Sequence, residues 1–242
     1  MMLLLDVGNT RVKWAWLDYL EIAPAGAVAH DATHRSWQGE IAADGHRPTR
    51  IVVANVAGPA FAAALTLWSR DHYGVDPEFV TASENLCGVT NGYRRPTALG
   101  ADRWLALIAA WRSGARATLV LNSGTALTVD AIDGDGRHRG GLILPGVQMM
   151  TELRAPWVGT PELVPGAALE RLPADVVPFA LAALGRRVLD AFAAQTGSEP
   201  RLLLTGGDAR LLAPHLPASA VVVPDLVLTG LAIVATRGAG ER

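Results

Sequence analysis

The sequence predicts an α/β fold made of two domains of one duplicated plan, residues 1–114 and 115–242, and three observations predict it. Apolar strand-like runs alternate with helical stretches, which is the pattern of a layered α/β domain. Two segments, LLLDVGNTRVKWAWLD at 3–18 and TLVLNSGTALTVDAID at 118–133, share one design: apolar strand, polar residue, glycine turn, alternating second strand. Laid over each other, they match Asp6 to Asn122 and Gly8 to Gly124, both at an offset of 116 residues.

In the first segment Val12, Trp14 and Trp16 alternate with Arg11 and Lys13, which gives a strand one apolar face. IVVANVAG (51–58) reads as a buried strand running into a loop. PAFAAALTLWSRDHYG (59–74) reads as a helix with Pro at its start and Gly at its end. A polar connection, ENLCGVTNGYRRPTALG, leads to ADRWLALIAAWRSG, where Trp104, Leu105, Ile108 and Trp111 recur at helical spacing and Gly114 offers a stop. After the second hairpin come GGLILPG (140–146), a helix over 176–197, a strand in RLLLTGGDA (201–209), and a last strand and helix within 220–238.

Half of the 242 residues are apolar, enough for two modest cores or one large one. The formal charge is −2 and no run of five basic residues occurs, so the footprint of a nucleic-acid or membrane-surface binder is missing. A small-molecule partner is expected instead. Cys87 is the only cysteine, which excludes an intrachain disulfide and any multi-cysteine metal site. The histidines at 30, 34, 46, 72, 138 and 215 show no metal-ligand spacing and are expected at the surface. Only MMLLL precedes Asp6, and no stretch approaches the roughly 20 apolar residues of a membrane helix, so a cytoplasmic protein is expected.

A strand ending in Asp6 before Gly8-Asn9-Thr10 sets a carboxylate beside a turn whose backbone N–H groups can face outward. Oriented amides of that kind bind phosphate oxygens, and a neighbouring carboxylate suits Mg²⁺, which takes one or two carboxylates plus water and phosphate. Lys13, on the second strand, brings a point charge within reach of a phosphate. An ordinary surface hairpin with Asp6 as turn former would look the same. In the second hairpin Gly124 allows close backbone approach and Thr125 offers a hydroxyl. In TGGDA, Gly206 and Gly207 leave room for an adenosine and Asp208 is placed to cap the next helix. LGADR sets Asp102 and Arg103 at a helix start, where the acid is either a proton acceptor or simply a first-turn carboxylate favoured by the helix dipole.

Taken together, DVGNTRVK, NGY followed by GADRW, GTALTVD, GGLILPG and TGGDA resemble, in order and across almost the whole chain, the motifs of type III pantothenate kinases. The resemblance implies two ribonuclease-H-like domains of the actin-like ATPase superfamily with an ATP cleft between them, a homodimer, and phosphorylation of pantothenate in coenzyme A synthesis. It implies Mg²⁺ and a monovalent cation, K⁺ or NH₄⁺, as cofactors. Asp6, Val7, Gly8, Asn9, Thr10, Arg11, Val12 and Lys13 would form the phosphate-binding segment, with Asp6 near Mg²⁺ and Thr125 binding ATP from the other domain. Tyr93, Gly100, Ala101, Asp102 and Arg103 would contact pantothenate, with Asp102 as general base and Arg103 on the carboxylate side.

Two positions depart from the family pattern. Asn122 stands where many members carry the Asp that ligates the monovalent cation, and losing a unit charge at 4 Å weakens that attraction by about 1 to 4 kcal/mol. Val177 falls where members place a threonine that bonds substrate across the dimer, and valine cannot donate a hydrogen bond. A sugar kinase of the same superfamily and a non-catalytic regulatory descendant are the rival readings. GADRW with NGY argues against the first, and the joint presence of Asp6, Lys13, Asp102 and Arg103 against the second.

Overall fold

A computed structural model describes residues 1–30, 36–153 and 175–237, so His34 and the last residue of the expected C-terminal helix lie outside the described residues. The chain divides into two compact units. The first comprises Met1–Ala115, Asp135–His138 and the segment starting at Asp225; the second comprises Arg116–Gly134 and Arg139–Pro224. The C-terminal helix, expected with the second domain, is thus part of the first unit.

In the first unit, β1 (Met2–Val7), β2 (Arg11–Asp18), β3 (Glu21–Ala29), β4 (Arg50–Asn55) and β5 (Pro77–Phe79) form a sheet in the order β3-β2-β1-β4-β5. β1, β2 and β3 run as an antiparallel meander, whereas β4 and β5 lie parallel to β1. A parallel neighbour needs a crossover, which α2 (Pro59–Tyr73) provides between β4 and β5; it ends on Gly74 in the left-handed region. Leu3, Leu5, Val7, Val12, Trp14 and Trp16 share one face of the sheet and bury it against Trp37 and Ile41 of α1 (Ser36–Ala43) and Leu65 of α2. Leu4 and Val52 point the other way and are also buried. There α3 (Ala101–Arg112) packs against β4 and α7 (Leu226–Thr236) against β1. The two helices approach so closely at Gly230 that a Cβ there would lie 2.2 Å from the Leu105 carbonyl oxygen.

The second unit repeats this arrangement. β8 (Thr118–Ser123), β9 (Ala126–Ile132), β10 (His138–Pro145), β11 (Arg201–Thr205) and β12 (Val221–Val222) take the order β10-β9-β8-β11-β12. β8 is antiparallel to β9 and parallel to β11, which is parallel to β12. The registers agree as well. Asp6 pairs with Lys13 on one side and Ala54 on the other, and Asn122 pairs with Thr128 and Thr205. Asp6 and Asn122 therefore occupy the same place in their sheets. α4 (Val147–Leu153), α5 (Val176–Thr196) and α6 (Ala209–Leu212) belong to this unit, and Leu181 and Phe192 of α5 close its core over Leu119, Leu121 and Leu204.

The polar connection before α3 contains a tight hairpin, β6 (Asn85–Leu86) and β7 (Val89–Thr90), turned by Cys87 and Gly88 at φ 52° and 84°. Among the described residues no helix is long and apolar enough to cross a membrane.

Candidate active site

The first unit holds Asp6, Lys13, Tyr93, Asp102 and Arg103, all from the motifs, together with Asp225, which lies outside them. Asp6 and Lys13 face each other across the β1–β2 pair, so their side chains leave the same face of the sheet. The turn between them is closed by a hydrogen bond from the Gly8 N–H to the Arg11 carbonyl, 3.0 Å long. His30 braces it from β3's end: its backbone N–H donates to the Thr10 carbonyl at 2.9 Å, and its Nε2 lies 2.7 Å from the Gly8 carbonyl oxygen. That contact makes Nε2 the protonated nitrogen of this imidazole, since a carbonyl only accepts.

Burial first, then the charge of Asp102, raise the Asp6 carboxyl from 3.8 to about 7, with Lys13 opposing the rise and Asp225 adding to it. Asp6 is half-buried by accessible surface, and a carboxylate partly withdrawn from water among like charges calls for a cation. Lys13 supplies only part of that charge, because its ammonium is paired with Asp225 at 3.2 Å.

Asp102 opens α3. One of its oxygens accepts from the Arg103 N–H at 2.8 Å, and Gly100 leaves it room: a Cβ at Gly100 would sit 2.6 Å from that same oxygen. Arg103 is only 5% exposed, so its guanidinium depends on protein partners. It donates to the Tyr93 hydroxyl at 3.1 Å and lies over that ring. Tyr93 is held in turn by parallel stacking on His138, with ring centroids 5.7 Å apart. The NGY motif has a mechanical reading here. Asn91 donates to the Ser83 and Pro96 carbonyls and accepts from the Tyr93 N–H. Gly92 lets the loop pass the His138 carbonyl oxygen, which would lie 2.2 Å from any Cβ there.

His138 corrects an expectation: placed at the surface by the sequence reading, it is 3% exposed, because it starts a strand beneath the Tyr93 loop. Asp225 was missed because a lone acid before an apolar helix looks like a cap. Its available signal is Lys13, the only lysine among 21 basic residues, which needs a counter-ion.

In the second unit Thr125 is exposed in the β8–β9 turn, and its carbonyl accepts from the Gly146 N–H at 3.0 Å. Gly206, at φ 95°, is required by this unit's own packing, since a Cβ would meet the Ser123 carbonyl oxygen at 2.2 Å and the Asn122 amide oxygen at 2.7 Å. Gly207 faces open space. Asp208 precedes α6 but makes no side-chain capping bond, contrary to expectation; α6 is a single four-residue turn, and burial raises the Asp208 carboxyl. Val177 is 7% exposed and lies in the core of this unit with Leu181 and Ala182.

The fold is that of actin-like ATPases and sugar kinases. A protein assigned as a 2-dehydro-3-deoxygalactonokinase from Sinorhizobium meliloti superposes with a TM-score of 0.53 at 15% identity, covering 100% of both chains. The PilM–PilN type IV pilus biogenesis complex superposes at 0.51 and 16%, covering 96% of this chain and 97% of that one. Within that class, the sequence profile of type III pantothenate kinases matches residues 2–155. The type III pantothenate kinase of Nitrosococcus oceani is 38% identical over 97% of this chain and 94% of its own length. That of Alkalilimnicola ehrlichii is 39% identical over 96% and 97%. The chain belongs to the type III pantothenate kinase family.

Proposed function

We propose that this chain transfers the γ-phosphoryl group of ATP to the primary hydroxyl of pantothenate, giving 4′-phosphopantothenate and ADP, the first step of coenzyme A synthesis. The observation that carries the reading is the first unit's cluster, in a member of this family: Asp102 at a helix start, close enough to Asp6 to raise its pKa, beside a glycine turn and the paired Lys13. Asp102 takes the proton of the hydroxyl as its oxygen attacks the γ-phosphorus. The bond from that phosphorus to the bridging oxygen breaks, and ADP leaves with the electron pair. Lys13 and the Asn9 N–H at the turn's tip face the phosphate charge, so most of the barrier is lowered by positioning and electrostatics. Arg103, desolvated and tied to Tyr93, puts its positive charge on the side of the pantothenate carboxylate.

Mg²⁺ fits the donor set, because Asp6 is a desolvated carboxylate with a second carboxylate nearby. Asp6 would hold it, and it would supply positive charge at the phosphate oxygens. At Asn122 a monovalent cation, K⁺ or NH₄⁺, would find only a neutral amide oxygen, so weak binding there is expected. The reading includes a homodimer working in the cytoplasm, without nucleic acid or membrane, in keeping with the nearly balanced charge. A coupled assay of ADP release with pantothenate as acceptor, with and without K⁺ or NH₄⁺, tests it. Pantothenate-independent ATP consumption, or none at all, would overturn it.

A further inference from the structure

Asp225 begins α7 in an unusual way. Its backbone is left-handed, at φ 51° and ψ 36°, a region that among side-chain-bearing residues Asp and Asn tolerate best. An acid at that place would ordinarily cap the helix, yet its side chain makes no capping bond. The helix start is served by the Asp225 carbonyl, which accepts from the Thr229 N–H at 3.0 Å, so the carboxylate is directed to Lys13 instead. Lys13 is the only lysine in a chain with twenty arginines. Arginine forms the better fixed ion pair, and lysine the better compact charge on a flexible stem. Both partners are partly exposed, 27% for Lys13 and 34% for Asp225, so the pair adds little to stability.

We propose that Asp225 is a positioning residue, which holds the Lys13 ammonium beside the Asp6–Thr10 turn in the orientation that meets the transferring phosphate. A flexible four-carbon stem would otherwise sample many rotamers, and the tether removes that entropy before the nucleotide arrives. The inference rests on the kinase reading above, because it takes Lys13 to act on phosphate.

The experiment compares wild type, Asp225→Asn, Lys13→Ala and the double variant. Asparagine keeps the left-handed backbone and a polar group but drops the charge, so the melting temperature should stay near that of wild type. Asp225→Asn should lower kcat about tenfold, the size of a coupling of ordinary strength, with KM for pantothenate unchanged. The double variant should be no slower than Lys13→Ala alone, since a positioning residue has nothing left to position. Unchanged kcat in Asp225→Asn, or losses that multiply in the double variant, would overturn the proposal. A second readout needs no turnover. Protein labelled with ¹⁵N-lysine gives one side-chain ammonium signal, from Lys13, which should be slowly exchanging in wild type and broadened by Asp225→Asn. If wild type fails to phosphorylate pantothenate, the kinase reading falls. The tether is still judged by that signal, and a signal indifferent to Asp225→Asn refutes it.

Discussion

Asp6→Asn should make the ligand-free protein more stable at neutral pH while disabling it. The folded state raises the Asp6 carboxyl from 3.8 to about 7, chiefly by burial and then by Asp102. The fold therefore holds that proton more tightly than the unfolded chain does. Stability falls as pH rises from about 4 to 7, and above pH 7 the loss is complete. About three pH units at about 1.4 kcal/mol each put the cost of the buried anion at up to about 4 kcal/mol. Asparagine reproduces the shape of the neutral acid and carries none of that cost. At about 2 to 4 °C per kcal/mol for a chain of this size, its melting temperature should exceed wild type by up to about 16 °C at pH 8.5. The gain should shrink at pH 6 and vanish towards pH 4. Calorimetry in chelator-treated buffer at the three pH values measures it, and Mg-ATP titrations on the same samples should show binding lost. An equal gain at every pH, or a less stable variant at pH 8.5, would refute the assignment of the strain to Asp6 ionisation.

Asp102→Asn should preserve the melting temperature and lower kcat by about 10² to 10⁴; steady-state kinetics at wild-type level would remove Asp102 from the general-base role. Gly230→Ala places a methyl group where the Leu105 carbonyl oxygen stands, so α3 and α7 must separate. It should cost about 1 to 3 kcal/mol in urea unfolding, as overpacked cores do, and an unchanged midpoint would mean the helices yield freely. Natural protein should respond weakly to K⁺ at constant ionic strength, and Asn122→Asp should create a saturable dependence of about 1 to 4 kcal/mol. Strong activation of the natural protein would show that Asn122 already suffices.

Which elements could be read from the sequence depended on how much of each was buried on one side. β1, β2, β8 and β9 announce themselves because apolar residues line their core faces, and the offset between Asp6 and Asn122 proves to be one position in two sheets. β3 was illegible for the opposite reason. It is an edge strand with no fully buried residue, it carries Pro24, and it bulges opposite Trp14/Ala15. Its Gly26 looks like a turn residue but serves packing, since a Cβ there would fall 2.2 Å from the Trp14 ring. α1 was missed too; only Trp37 and Ile41 of its eight residues are buried, too few to show a period. In the site, the residues within motifs were legible and their supports were not. His30, His138 and Asp225 act through the Gly8 carbonyl, the Tyr93 ring and the Lys13 ammonium, contacts that no local spacing encodes.

The return of α7 to the first unit shapes how the protein must be made. A ribosome releases residues in order, and domains ordinarily complete themselves as they emerge. Here the second unit is finished before the first, because the helix covering β1 and the partner of Lys13 arrive 212 residues after that lysine. Until then Leu4 and the α3 surface around Leu105 stay open to solvent and to chaperones. A chain truncated before Asp225 would hold every strand of the second sheet and leave the first unit uncovered. Loss of the last helix would thus cripple the amino-terminal chemistry while sparing the sheet nearest the break in sequence.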